Sequence, residues 1–178
     1  GMLMGMAIGV AVDAENHIWV VHRPDTLSAA EAAADENPPT AACCRRAPPV
    51  LQFDQQGNLI SAWGGPGQGY EWPESNHGIF VDHKGVVWIG GNGTNDAHVL
   101  KFTQDGTFIA QFGNSGKTAG SNDTLNFGRV AKIFVDPKAN EAYLADGYLN
   151  KRVAVIDADT GAFKRYWGAY GNKPDDAN

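Results

Sequence analysis

Gly9-Val10-Ala11-Val12-Asp13, Gly78-Ile79-Phe80-Val81-Asp82 and Lys132-Ile133-Phe134-Val135-Asp136 are three versions of one five-residue phrase. Apolar residues alternate and an aspartate follows. Period-two alternation marks a short strand, and an Asp side chain bonds the main chain of the turn it enters. Downstream of each phrase the same events recur. A second apolar run comes first: Ile18-Trp19-Val20-Val21, Val86-Val87-Trp88-Ile89 and Ala142-Tyr143-Leu144. A third follows: Val50-Leu51-Gln52-Phe53, Val99-Leu100-Lys101-Phe102 and Val153-Ala154-Val155-Ile156. After an Asp- and Gly-bearing turn, each copy closes on an aromatic residue and glycine, Trp63-Gly64, Phe112-Gly113 and Trp167-Gly168.

Four short strands per copy, with 54 residues from Asp82 to Asp136 and 49 from Trp63 to Phe112, fit the blade of a β-propeller. A four-stranded sheet cannot bury both faces alone, so the copies must stack. Almost no helical sequence lies between strands, which excludes TIM-barrel and Rossmann folds. The expected fold is all-β, three four-stranded blades in a single domain 1–178. Blade one spans about 5–65, blade two about 74–114 and blade three about 127–171.

Blade one departs from the period. Asp13 to Asp82 is 69 residues, and the excess lies between its second and third runs, in an insertion over 23–49. Ser28-Ala29-Ala30-Glu31 has capping-box spacing and predicts a short helix from Ala29 to Asp35, ending before Pro38-Pro39. The rest reads as a mobile loop over one mouth of the channel, with few core contacts. Cys43 and Cys44 are adjacent, which favours two free thiols; an intermolecular disulfide or a soft-metal pair is the alternative. Gly90-Gly91-Asn92-Gly93 precedes a strand rather than a helix and reads as a turn, not a phosphate loop.

Composition narrows the function classes. With 43% apolar and 19% charged residues the chain is globular. A net charge of −6 argues against nucleic acid as partner. No apolar run approaches a membrane span. The first residues lack a basic segment and Asp13 interrupts their apolar stretch, so they do not read as a signal peptide.

The glycine-rich Val-Asp, Trp, Lys-Phe and Gly repeats resemble NHL repeats. Three segments sharpen the resemblance to the peptidyl-hydroxyglycine lyase domain of peptidylglycine amidating enzymes. They are Val21-His22-Arg23, then His77-Gly78-Ile79 with Val81-Asp82 and Val87-Trp88, then Asp146-Gly147-Tyr148 with Asn150 and Arg152-Val153. They fall one per blade, in that family's order, and the likeness covers nearly the whole chain. It implies a six-bladed ring, of which three blades are half, and an extracytoplasmic setting. It further implies His77 as a zinc ligand, Arg23 and Tyr148 as catalytic residues, and the main-chain carbonyls of Val10 and Ile79 as ligands of a structural calcium. The family's zinc takes two more histidines from later blades, and one histidine cannot make such a site.

Taken as residues, His77 is either a metal ligand or a hydrogen-bonded channel histidine. Arg23 either positions an anion or pairs with Asp25 or another insertion carboxylate. Tyr148 is either a general base or an aromatic packed between blades. Asp13, Asp82 and Asp136 read as turn formers, and His98 as solvated. The expected function is a ligand-binding or assembly module around a channel that holds a small polar ligand, a peptide or a cation. The alternatives are a metal-dependent lyase acting on carbinolamides and a protein-interaction propeller. The expected assembly is a two-fold homodimer that closes a six-bladed ring.

Overall fold

In the computed structural model, which describes residues 1–177, the runs of each copy pair in chain order into an antiparallel sheet. Sheet one follows a two-residue strand, β1 (Met2–Leu3). It holds β2 (Met6–Val12) and β3 (Ile18–Arg23), then, beyond an insertion that carries β4 (Arg45–Arg46), β5 (Val50–Phe53) and β6 (Leu59–Trp63). Sheet two is β7 (Asn76–Val81), β8 (Val87–Gly91), β9 (His98–Phe102) and β10 (Phe108–Gly113). Sheet three is β11 (Lys132–Asp136), β12 (Glu141–Asp146), β13 (Arg152–Asp157) and β14 (Phe163–Trp167). The sheets are open, and their stacking is propeller-like.

Register explains how they stack. Ala11 stands opposite Trp19, and Phe80 opposite Trp88. Residues opposite one another share a face, so each sheet turns one apolar face to each side. Trp19, Val21 and Val50 of sheet one share a core with Ile79, Val87, Leu100 and Phe102 of sheet two. Trp88 and Val99 of sheet two share the next core with Ile133, Leu144, Ala154 and Ile156 of sheet three. Innermost strands meet in the same order, β2 against β7 and β7 against β11. Glycine permits that approach: a Cβ on Gly9 would lie 2.9 Å from the His77 carbonyl oxygen, and one on Gly78 would lie 2.8 Å from that of Ala131. The outermost strands bulge at matching places, leaving Ile60, Ile109 and Lys164 out of register, a device that blunts exposed sheet edges.

The aspartates after the first strands do form turns. Asp82 accepts from the amides of Lys84 and Val86 and from the indole of buried Trp88, each at 2.9 Å. Asp13 does the same for Glu15, His17 and Trp19 at 3.0, 2.8 and 2.9 Å. Asp136 takes only the Lys138 amide, at 2.8 Å. Its turn is one residue longer, so Tyr143 stands where Trp88 does in sheet two and donates to Glu141 instead, at 2.9 Å.

Four expectations need correction. The helix Ala29–Asp35 is absent. The cap itself forms, with the Glu31 carboxylate accepting from Ser28 N and Oγ at 2.9 and 2.7 Å, but only a 3-10 turn, Ala33–Asp35, follows. Few residues separate the cap from Pro38, too few to offset helix nucleation. Nor is the insertion a bare loop. Ala32, Ala33, Ala34 and Ala47 are buried, and β4 pairs in parallel with β1. Cys43 and Cys44 are joined to each other in a vicinal disulfide rather than being free thiols. Finally, His98 is buried, not solvated, and its Nε2 lies 2.6 Å from the Glu71 carbonyl oxygen. No described helix is long and apolar enough to cross a membrane.

Candidate functional site

His77 lies in an irregular stretch of pairing between Asn76 and Ile79 in β7. Such irregularities re-aim side chains. Its Nδ1 is 3.1 Å from the Ala131 carbonyl oxygen, the same atom that Gly78 allows to come close. A carbonyl only accepts, so Nδ1 carries the proton and Nε2 keeps its lone pair. The Tyr148 hydroxyl sits 3.0 Å from Nε2 and donates to it, with the two rings 5.1 Å apart. His77 is half-buried and Tyr148 is exposed. The pair bridges sheets two and three.

Tyr148 is presented by a loop fixed at both ends. The buried Asp146 carboxylate accepts from Gly128 N at 2.6 Å, Asn150 Nδ2 at 2.8 Å and Arg152 Nε at 2.8 Å. Arg152 also donates to the carbonyls of Ser121, Asp123 and Asn126 and so clasps the segment entering sheet three. Between these anchors Tyr148 and Leu149 project outward, both exposed. The Asp146-Asn150-Arg152 spacing thus serves a framework role that sequence reasoning did not assign.

Arg23 points elsewhere. Its Nε donates to the Asn76 carbonyl at 3.2 Å and its Nη2 to Asn92 Oδ1 at 2.8 Å. Neither Asp25 nor another insertion carboxylate pairs with it among the described residues. It lines a cavity of about 690 Å³ between sheets one and two, with Arg46, Pro48, Trp72 and Glu74. The structure therefore joins His77 to Tyr148 and sets the Arg23 guanidinium in a neighbouring groove, held one residue along from His77.

Val10 and Ile79 occupy matching positions on the innermost strands β2 and β7. The Val10 side chain is exposed, and that of Ile79 is buried in the seam between sheets. Zinc takes three or four protein ligands and calcium six to eight oxygens. Among the described residues, His77 and these two main-chain positions fall short of both. Asp13, Glu15 and His17 also converge, but the Asp13 carboxylate is already occupied by its turn and by Trp19.

Two further buried groups break the apolar pattern. Lys101, in a third-strand run, donates from Nζ to the Ala158 carbonyl and lies 4.6 Å from the Trp88 ring centroid. Burial pushes its pKa down. His22, in Val21-His22-Arg23, accepts from Gly5 N at Nδ1 (3.1 Å) and meets the Pro48 carbonyl through Nε2 (2.9 Å). It ties the segment entering sheet one to the end of the insertion, and burial pushes its pKa down against the pull of the Pro48 carbonyl.

No family model matches the chain. Over 119 residues it is 29% identical to NHL repeat-containing protein 3 of Mus musculus, covering 63% of this chain and 32% of that one. The chain thus spans about a third of that curated relative. Among solved structures it resembles Kuenenia stuttgartiensis hydrazine synthase, with 13% identity and a TM-score of 0.51, over 90% of this chain and 36% of that one. It also resembles a Bacteroides caccae protein of unknown function, with 10% identity and a TM-score of 0.48, over 93% of this chain and 47% of that one. The three stacked four-stranded sheets give the chain a propeller-like fold, and the curated relative to which it is similar is an NHL repeat-containing protein.

Proposed function

We propose that the chain is an interaction module, part of a propeller whose loop-rich mouth takes a small polar ligand or a peptide. The observation that carries this reading is the His77–Tyr148 hydrogen bond. It brings together two polar side chains from different sheets, half-buried His77 from β7 and exposed Tyr148 from a loop held by a buried framework. Rigid scaffolds that present polar groups on loops are the usual setting of binding sites. The repeat relative supports the same class.

The same contact supports a second reading, a lyase acting on carbinolamides of the peptidyl-α-hydroxyglycine kind. Such a reaction needs a group to take the hydroxyl proton as the C–N bond breaks and to return a proton to the departing amide nitrogen. Tyr148, with His77 Nε2 as its proton acceptor, has the connectivity for that relay.

A peptidyl-α-hydroxyglycine serves as probe for both. Titration calorimetry is expected to show binding that weakens about fivefold in Tyr148→Phe and in His77→Ala, the worth of one hydrogen bond. Glyoxylate release above the spontaneous rate, lost in Tyr148→Phe, would select the lyase. Absence of binding, or binding that both substitutions leave unchanged, contradicts a site at this mouth.

A further inference from the structure

The insertion that breaks the period of blade one ends as one wall of the cavity of about 690 Å³ beside Arg23. Arg46, Pro48 and Pro49 come from the insertion, and Pro66, Trp72 and Pro73 from the segment between β6 and β7. Trp72 is braced. Its ring lies 6.0 Å from that of Phe102, and Gly64, at φ +105°, gives it room, since a Cβ there would lie 2.9 Å from Cη2. Proline has no N–H, so these walls offer apolar surface and few main-chain donors.

The two cationic groups of the lining have bonding capacity to spare. Arg23 is fixed through Nε and Nη2, and its Nη1 has no acceptor among the described residues. Arg46 donates from Nη2 to the Leu27 carbonyl at 3.2 Å, and its Nη1 stands 3.7 Å from Asp35 Oδ2. Its Nε is buried with no acceptor among the described residues. The acids nearby do not meet that need. Glu74 also lines the cavity, but its two oxygens accept from Asn95, at 2.6 and 3.1 Å. Asp35 already accepts from the Arg46 amide at 2.7 Å. Asp25 is exposed and pairs with neither arginine among the described residues.

We infer that this groove binds an organic carboxylate whose apolar body lies against Trp72 and the prolines. A carboxylate matches the planar fork of a guanidinium, and an Arg already held by other bonds loses little freedom in gripping it. Phosphate sites draw on clustered main-chain N–H groups, which proline walls do not supply. The volume falls within the ordinary range of small-ligand sites. A free acid and the C-terminal residue of a peptide present the same pairing of carboxylate and apolar side chain. The groove is separate from the His77–Tyr148 contact, and Arg46 and Trp72 lie outside the three segments that resemble the lyase domain.

Hydrocinnamate, a phenyl ring on a short carboxylate, serves as probe, followed through the indole N–H signals of isotope-labelled chain. The Trp72 signal is expected to move with a dissociation constant of about 1 mM, an ordinary value for a ligand of this size. The signals of Trp19 and Trp88, bonded to Asp13 and Asp82, are expected to stay, and in each variant they report that the fold is kept. The amide of the same acid, and inorganic phosphate, are expected to bind at least about tenfold more weakly, and Arg46→Gln to weaken the acid about tenfold. His77→Ala is expected to change nothing. Acetyl-glycyl-phenylalanine binding more tightly than hydrocinnamate assigns the groove to peptide C-termini, and weaker binding assigns it to free acids. A Trp72 signal that stays still at about 10 mM probe overturns the inference. So does an amide that binds as well as the acid, an affinity that Arg46→Gln leaves unchanged in a folded chain, or a loss in His77→Ala.

Discussion

Asp82 and Asp136 end the same five-residue phrase but should differ in what their removal costs. Asp82→Ala leaves the Trp88 indole buried without an acceptor and frees two turn amides, so a loss of about 2–3 kcal/mol is expected. Asp136→Ala removes one exposed turn bond, and about 0.5–1 kcal/mol is expected. Urea midpoints of the two variants check this ranking. The turn role was legible in the sequence; the indole bond was not, because it depends on how far β8 folds back beside its turn. His22 supplies a pH dependence. Its folded-state pKa is pushed down, while the unfolded chain keeps the usual value near 6.5. Between those values the unfolded chain binds more protons, so the contribution of His22 is full above about pH 6.5 and declines as pH falls below it. Protonation at Nδ1 would also set two N–H groups against each other at Gly5. The stability difference between wild type and His22→Phe is therefore expected to shrink from pH 7.5 to pH 5.5, in urea titrations at each pH. A constant difference would contradict this account of His22.

At the scale of elements, each sheet holds the segment that leads into it, by a different side chain. His22 takes Gly5, His98 takes Glu71, and Arg152 takes Ser121, Asp123 and Asn126. Arg152 is the strongest case because it is fully buried against Asp146. Arg152→Met leaves that carboxylate buried without its cation, and about 3–5 kcal/mol is expected. Hydrogen exchange should quicken first in 121–126 and in the Tyr148 loop, while β2 and β3 keep their protection. Uniform loosening of all three sheets would contradict a local clasp. Sequence reading found the strands because alternation and turn chemistry are local. It misread the insertion because a capping box at Ser28 and three alanines satisfy a helix rule over a segment too short to propagate one. The alanines instead pack under the strand pair β1–β4.

For the whole molecule, the repeat fixes the number of sheets and their order, since a four-stranded sheet with two apolar faces must stack. The glycines of the first two phrases were readable as repeat positions, but their purpose, close approach of innermost strands, emerges only from the stacking. Lys132 takes the corresponding place in the third phrase. The candidate site was half legible. His77 and Tyr148 were singled out and do meet, whereas the separate groove of Arg23 follows from its bonds to Asn76 and Asn92, which no local spacing encodes. The central claim is that three sheets stack through their innermost strands. Nuclear Overhauser spectroscopy on labelled chain tests it most directly. The account predicts contacts from the Gly9 α-protons to the Ile79 methyls and from the Gly78 α-protons to the Lys132 α-proton. Loss of either contact in a folded chain would contradict it.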